Sequence, residues 1–183
     1  FEARGAALTP LIGRDEELGL VLGRWQRACE GEGQVVLLSG EPGIGKSRIV
    51  QALRQRLADE PHVRLRYQCS PYHTNSAFYP IIAQIEHAAG FARDDSTESK
   101  LDKLEVLLGE DAAQVAPLLA TMLSLETGER YPPLAMSPQK QKDETLKALA
   151  GQVARLAAQQ PLLMVFEDAH WIDPTSQEIL DLI

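Results

Sequence analysis

The sequence has few cysteines, no excess of positive charge and no long apolar run, and each scarcity excludes a class of protein. Only two cysteines occur among 183 residues, Cys29 and Cys69, and their spacing matches neither a disulfide framework nor a metal site. The 18 basic residues are outnumbered by 26 acidic ones, and the net charge of -8 gives no electrostatic footprint for nucleic acid. No apolar run approaches the roughly 20 residues of a membrane span.

The composition is otherwise that of a packed globular domain. Hydrophobic residues make up 44% of the chain and charged residues 24%, and 183 residues suit one domain. Two well-separated cysteines are typical of reduced thiols in a cytoplasmic protein. The first residue is Phe1 rather than Met, without a signal peptide after it, so we expect a piece cut from a longer polypeptide.

A glycine-rich segment at residues 40–47 carries the strongest functional signal. It fits the pattern G-x-x-x-x-G-K-[ST], in which glycines let backbone N–H groups converge on phosphates. The following helix adds its N-terminal dipole, a lysine adds a full positive charge, and a serine hydroxyl can ligate Mg²⁺. The predicted phosphate-binding residues are Gly40, Glu41, Pro42, Gly43, Ile44, Gly45, Lys46, Ser47 and Arg48.

The elements around this segment indicate an α/β fold. The apolar run 35–38 predicts a buried parallel strand, and a helix should follow over residues 46–58 with Ile49, Leu53 and Leu57 on its apolar face. Alternation over residues 62–68 predicts a second strand, which would complete a right-handed βαβ unit. An earlier helix should begin near residues 14–17, where acidic side chains favour a helix N-terminus.

A second functional signal, a pair of acidic residues, follows a largely helical section at residues 69–160. The apolar run 162–166 predicts a third strand that ends directly in Glu167 and Asp168, and Asp173 then caps a final helix. Acids at the carboxyl edge of a parallel strand lie where ligands of open α/β sheets bind. The alternative is a pair of helix-capping acids with no role in catalysis. Trp171 is expected to pack in the core.

At this point the chain resembles a known family. Residues 165–173 look like the Walker B region of signal-transduction ATPases close to the AAA+ proteins, and residues 11–17 resemble their N-terminal motif. Residues 68–73 are similar to a segment of the ATPase modules that follow class III nucleotide cyclases, and related modules occur in large LuxR-type regulators. The resemblance implies a three-layer P-loop NTPase with parallel strands ordered 5-1-4-3-2, ATP or ADP with Mg²⁺ as ligands, and ATP as the nucleotide partner.

The same resemblance implies roles for individual residues. Glu167 and Ser47 would hold Mg²⁺, Asp168 would activate water, and Lys46 would assist catalysis. Three residues of the N-terminal motif would lie near the adenine, namely Ile12, Gly13 and Arg14. The order Glu-Asp departs from the usual Asp-Glu, and the shorter second acid predicts slow hydrolysis.

The resemblance also predicts the organisation of the chain. We expect a linker over residues 1–10, the N-terminal motif and P-loop unit over 11–68, the helical section over 69–160, and the Walker B strand and helix over 161–183. The fourth strand is missing, so the domain should be truncated at its C-terminal side, with an apolar groove between the first and third strands.

Three functions remain open from the sequence. A slowly hydrolysing regulatory domain would gate a fused cyclase or DNA-binding output domain, with possible nucleotide-dependent self-association. An ATPase motor or a P-loop kinase is the second, and a scaffold that no longer hydrolyses ATP is the third. We expect this segment to bind neither nucleic acid nor a membrane directly.

Overall fold

The computed structural model describes residues 13–183. The linker predicted over residues 1–10 and the predicted adenine-side residue Ile12 lie outside the described residues. The chain divides into two compact units, Phe1–His62 and Val63–Ile183, and each is described by itself.

The first unit is built on two helices that pack against each other, α1 (Asp15–Cys29) and α2 (Lys46–Arg56). Three acidic residues occupy the first turn of α1 and Arg27 its last turn, which complements the helix dipole at both ends. The predicted apolar face of α2 is buried as expected, together with three residues of α1. The buried side chains are Leu18, Val21, Trp25, Ile49, Leu53 and Leu57.

The strand predicted at residues 35–38 is wrong. This segment has no regular structure, and Val35 and Leu37 are 98% and 83% exposed. A strand is stable only where its backbone groups pair with a neighbour, and in residues 13–183 the two paired strands bond only to each other. Apolar and β-branched residues alone therefore did not make a strand, and the predicted βαβ unit is not formed.

The second unit contains a two-stranded parallel sheet of β1 (Val63–Gln68) and β2 (Leu162–Glu167). These are the second and third predicted strands, and they are neighbours, as the implied strand order requires. Alternation along β1 places its apolar residues on one face, where Tyr67 stacks on Phe166 with ring centroids 4.3 Å apart. The opposite face carries arginines, a glutamine and Glu167.

Five helices complete this unit, and four of them lie within residues 69–160. They are α3 (Tyr79–Ala88), α4 (Thr97–Leu108), α5 (Ala112–Met122), α6 (Pro138–Gln159) and α7 (Pro174–Leu180). The side chains of Ser96, Ser137 and Asp173 cap α4, α6 and α7 respectively. The core lies between the apolar face of the sheet and α3 to α7, where Leu104 and Ala116 are completely buried.

No helix in residues 13–183 combines the length and the apolar character needed to cross a membrane.

Candidate functional site

The glycine-rich loop leads directly into α2. Gly43 and Gly45 have φ angles of 82° and 103°, a backbone region that residues with a Cβ rarely adopt. Gly45 is the N-cap of α2, so the loop enters the helix through this residue. Apart from the adjacent residues of the chain, no described heavy atom lies within 4 Å of where a Cβ would stand on Gly43 or Gly45. The loop is therefore shaped by backbone conformation, which is the property a phosphate cradle requires.

The Lys46 side chain bends back across this loop. Its Nζ donates hydrogen bonds to the carbonyl oxygens of Gly40, at 2.9 Å, and Glu41, at 3.0 Å. The ammonium group is thereby held over the loop at the start of α2. Ser47 follows on the first turn of the helix and is exposed. One full positive charge, one hydroxyl and the N-terminus of α2 thus occupy a single short segment.

Arg14 connects the N-terminal motif to the loop. Its guanidinium donates a hydrogen bond from Nη2 to the carbonyl oxygen of Ile44, at 3.2 Å, and pairs through Nη1 with Glu17, at 2.5 Å. Gly13 precedes it with a φ of 69°. The structure therefore brings Arg14 to the glycine-rich loop.

Glu167 at the end of β2 is held by an arginine of the neighbouring strand. Arg66 donates from Nε to one carboxylate oxygen and from Nη2 to the other, both at 2.9 Å. Such a two-point pair is stronger and more directional than a single contact. The side chain of Glu167 is 28% exposed and that of Arg66 is 49% exposed.

Asp168, which follows β2, is held by Gln68 of β1, the strand that also carries Arg66. The Gln68 amide donates from Nε2 to Asp168 Oδ2 at 3.0 Å, while its Oε1 accepts a hydrogen bond of 3.3 Å from Arg66. Asp168 has a φ of 53°, so the chain turns sharply where the strand ends. Within the described residues its side chain makes no capping bond to the 3-10 turn that follows. The helix-capping alternative therefore fails for Asp168.

Sequence reasoning missed Arg66 and Gln68. The alternation of β1 places both on the face opposite the core, and this signal was present in the sequence. Their contact with the two acids depends on register, because Gln68 is opposite Glu167 and Arg66 is opposite Val165. No local pattern reports the pairing of residues a hundred positions apart.

Asp173 is a structural residue of this region. It is 1% exposed, and its Oδ1 accepts hydrogen bonds of 3.0 Å from the backbone N–H groups of Phe78 and Ser176. It therefore joins the start of α3 to the start of α7 and fixes the segment that follows the two acids. Nearby Cys69 is buried, and burial, with smaller contributions from Asp173 and Asp168, raises the pKa of its thiol to about 11.

Trp171 does not pack in the core as predicted. It is 40% exposed and lies against His170, with ring centroids 4.8 Å apart. The 3-10 turn at residues 169–171 directs this side chain outward, because the sharp turn at Asp168 ends the alternation of the strand.

The residues present suit Mg²⁺ better than a transition metal. No group of three or more metal-binding His, Cys, Asp or Glu side chains occurs in residues 13–183. Mg²⁺ does not need such a cage, because it keeps several waters and takes its other ligands from phosphates and one or two protein oxygens. The hydroxyl of Ser47 and the carboxylate of Glu167 are oxygen donors of that kind.

A protein family and one curated relative match nearly the whole chain. A family profile described as AAA ATPase domain covers residues 10–183. An uncharacterized protein of Rhizobium meliloti (strain 1021) is 28% identical over 192 residues, which cover 98% of this chain and 18% of that protein. No solved structure gives a significant match.

Two further relatives match shorter stretches. The chaperone protein ClpB of Dichelobacter nodosus is 44% identical over 52 residues, covering 28% of this chain and 6% of that protein. The ATP-dependent Clp protease ATP-binding subunit ClpE of Lactococcus lactis subsp. lactis (strain IL1403) is 39% identical over 57 residues, covering 31% of this chain and 7% of that protein. The chain spans less than a fifth of the length of each of these relatives.

Proposed function

The chain belongs to the AAA ATPase domain family, and on that premise we propose that it is a regulatory ATPase domain that binds ATP with Mg²⁺ and hydrolyses it slowly. Family membership makes it a nucleotide-binding P-loop ATPase module with an α/β fold. The assignment of residues to roles and the regulatory setting are the proposal.

The position of Lys46 is the observation that carries it. The Lys46 ammonium is held across the loop by the carbonyl oxygens of Gly40 and Glu41, where it can meet the β and γ phosphates. The positive φ angles of Gly43 and Gly45 support backbone wrapping around those phosphates. Residues 40–48 would hold the phosphates, and Gly13 and Arg14, with Ile12 beside them, would lie near the adenine.

Magnesium would be held by Ser47 and Glu167. When bound, it neutralises the phosphate charge that develops as the terminal phosphoryl group leaves. Asp168 would orient and deprotonate the attacking water. Its carboxylate is shorter by one methylene than the usual glutamate, which supports slow turnover.

We place this activity in a longer cytoplasmic protein. The match to the Rhizobium protein occupies 18% of that chain, so there the similar segment is one part of a much longer polypeptide. The free thiols of Cys29 and Cys69 suit a reducing compartment. We propose that ATP and ADP favour different arrangements, and so gate a fused cyclase or DNA-binding output domain, with self-association as a second readout.

The fold around the site belongs to the same proposal. The full domain would be a three-layer sandwich, with the sections 1–10, 11–68, 69–160 and 161–183 in the roles given above. The adjacency of β1 and β2 supports the strand order 5-1-4-3-2.

An outright ATPase motor is the second candidate, favoured by the short matches to ClpB and ClpE. Single-turnover and multiple-turnover measurements with labelled ATP and Mg²⁺ separate the two. The regulatory proposal predicts retained nucleotide and turnover well below the median enzyme rate of about 10 s⁻¹. Asp168→Asn should keep nucleotide binding and abolish the remaining hydrolysis. Rapid multiple turnover by the full chain would contradict the regulatory role.

A further inference from the structure

We propose that Arg66 is a positioning residue that competes with Mg²⁺ for the Glu167 carboxylate and so sets the magnesium concentration at which nucleotide is retained. The inference rests on the proposed function, because it concerns the acid to which that function assigns the metal.

The geometry of the pair is the first support. Arg66 Nε and Nη2 each lie 2.9 Å from a different oxygen of Glu167, so both oxygens are engaged by one planar fork. Arg66 and Glu167 lie on the same face of the sheet, diagonally across the β1–β2 pair, a distance that long side chains reach. The partner strand therefore presents the arginine to the acid without distortion of either strand.

The charges of the two side chains set the direction of the effect. A carboxylate that already pairs with a guanidinium has its charge largely neutralised, and the guanidinium repels a second cation that approaches the same oxygens. For Glu167 to enter the magnesium shell, Arg66 must release at least one oxygen. Arg66 therefore opposes magnesium when the site is empty, and MgATP must supply the free energy that separates the pair.

The surroundings show that Arg66 is held in place. The Arg66 Nη2 also donates to Gln68 Oε1 at 3.3 Å, and the same amide bonds Asp168. The guanidinium thus has a second partner on its own strand to keep after Glu167 moves away. The pair is part-exposed, which limits its strength and keeps it breakable.

The test is a magnesium titration of nucleotide binding in the full chain. Fluorescently labelled ADP at fixed concentration is titrated with Mg²⁺, and the midpoint of binding is compared between wild type and Arg66→Gln. We expect the midpoint to fall about two- to five-fold in the variant, the range expected for a part-exposed ion pair. Arg66→Lys keeps the charge but loses the fork, and its midpoint should lie between the two.

Two controls make the result specific. Arg64 lies two residues earlier on the same face of β1, opposite Leu163, so Arg64→Gln removes the same charge from the same strand. Its midpoint should equal that of wild type. In a Glu167→Gln background, Arg66→Gln should have no further effect, because the carboxylate on which it acts is gone.

The outcomes separate this inference from the proposed function. An unchanged or raised midpoint in Arg66→Gln, or an equal shift in Arg64→Gln, overturns the role of Arg66. If either of these results is found while wild type retains nucleotide and Lys46→Ala does not, only the role of Arg66 is overturned and the proposed function stands. If wild type and Lys46→Ala both fail to bind, the proposed function falls and this inference falls with it.

Discussion

The guanidinium of Arg14 donates a hydrogen bond of 3.2 Å to the carbonyl oxygen of Ile44 in the glycine-rich loop. The N-terminal motif thereby supports the loop from outside, 30 residues away in sequence. Because the Arg14 side chain also pairs with Glu17 at the start of α1, the loop is tied to that helix.

We predict that Arg14→Ala weakens nucleotide binding without unfolding the chain. The contact is part-exposed, so its loss should cost at most about 1 kcal/mol, which is a fall in affinity of at most about five-fold. Labelled-nucleotide titration measures the effect. Arg27→Ala, which removes an exposed arginine of α1 paired with Glu32, should bind as wild type does. Equal affinity of Arg14→Ala and Arg27→Ala would show that Arg14 does not support the loop.

The backbone of the loop gives a second prediction. Gly45 has a φ of 103°, so Gly45→Ala should lower the free energy of unfolding by about 1–2 kcal/mol through backbone strain alone. The space for a methyl group is open, which separates this effect from a steric clash. Gly19→Ala, inside α1, should instead stabilise by about 0.5–1 kcal/mol. Urea unfolding measures both. An unchanged free energy of unfolding in Gly45→Ala would contradict the predicted cost of placing a side chain at this positive φ angle.

The sequence predicted most of the helices and the strand that ends in Glu167. Helical periodicity was sufficient for α2, because Ile49, Leu53 and Leu57 all turned out to be buried. The apolar run at residues 35–38 did not form the predicted strand, because a strand depends on pairing with a neighbour that the segment itself does not specify. The candidate site likewise has one part that the sequence predicts and one part that it does not. The loop is encoded locally, whereas the pairing of Arg66 with Glu167 arises from the register of two distant strands.

Asp173 should be essential for stability although it follows the acids closely in sequence. Asp173→Ala leaves the buried N–H groups of Phe78 and Ser176 without their acceptor, which should cost about 2–4 kcal/mol. Asp181→Ala, which removes an exposed acid just after α7, should change the free energy of unfolding by less than about 0.5 kcal/mol. Equal melting temperatures of the two variants would contradict this role.

Two buried side chains should make the protein sensitive to alkali. Burial raises the pKa of Tyr67 to about 12 and that of Cys69 to about 11 in the folded chain. The unfolded chain loses these protons at pH values of about 10 and 9 respectively. Stability is therefore complete below pH 9 and falls as the pH rises toward 12, because only the unfolded state gains from ionisation.

Urea unfolding as a function of pH checks this dependence. Tyr67→Phe should flatten the decline between pH 10 and 12, and Cys69→Ala should flatten it between pH 9 and 11. The slope with pH is compared rather than the absolute stability, because both substitutions also change packing. Unchanged slopes in both variants would show that neither group controls the alkaline limit.

Nucleotide binding by Lys46→Ala tests the phosphate-binding role of the glycine-rich loop most directly. Wild type, Lys46→Ala and Lys147→Ala are titrated with labelled ATP and Mg²⁺, the last variant being the control because Lys147 is exposed and pairs with Glu144. We predict that Lys46→Ala loses affinity by about ten-fold or more, since a charge-assisted contact contributes about 1.5–3 kcal/mol, while Lys147→Ala binds normally. Wild-type affinity in Lys46→Ala would contradict the assignment of residues 40–47 as the phosphate cradle.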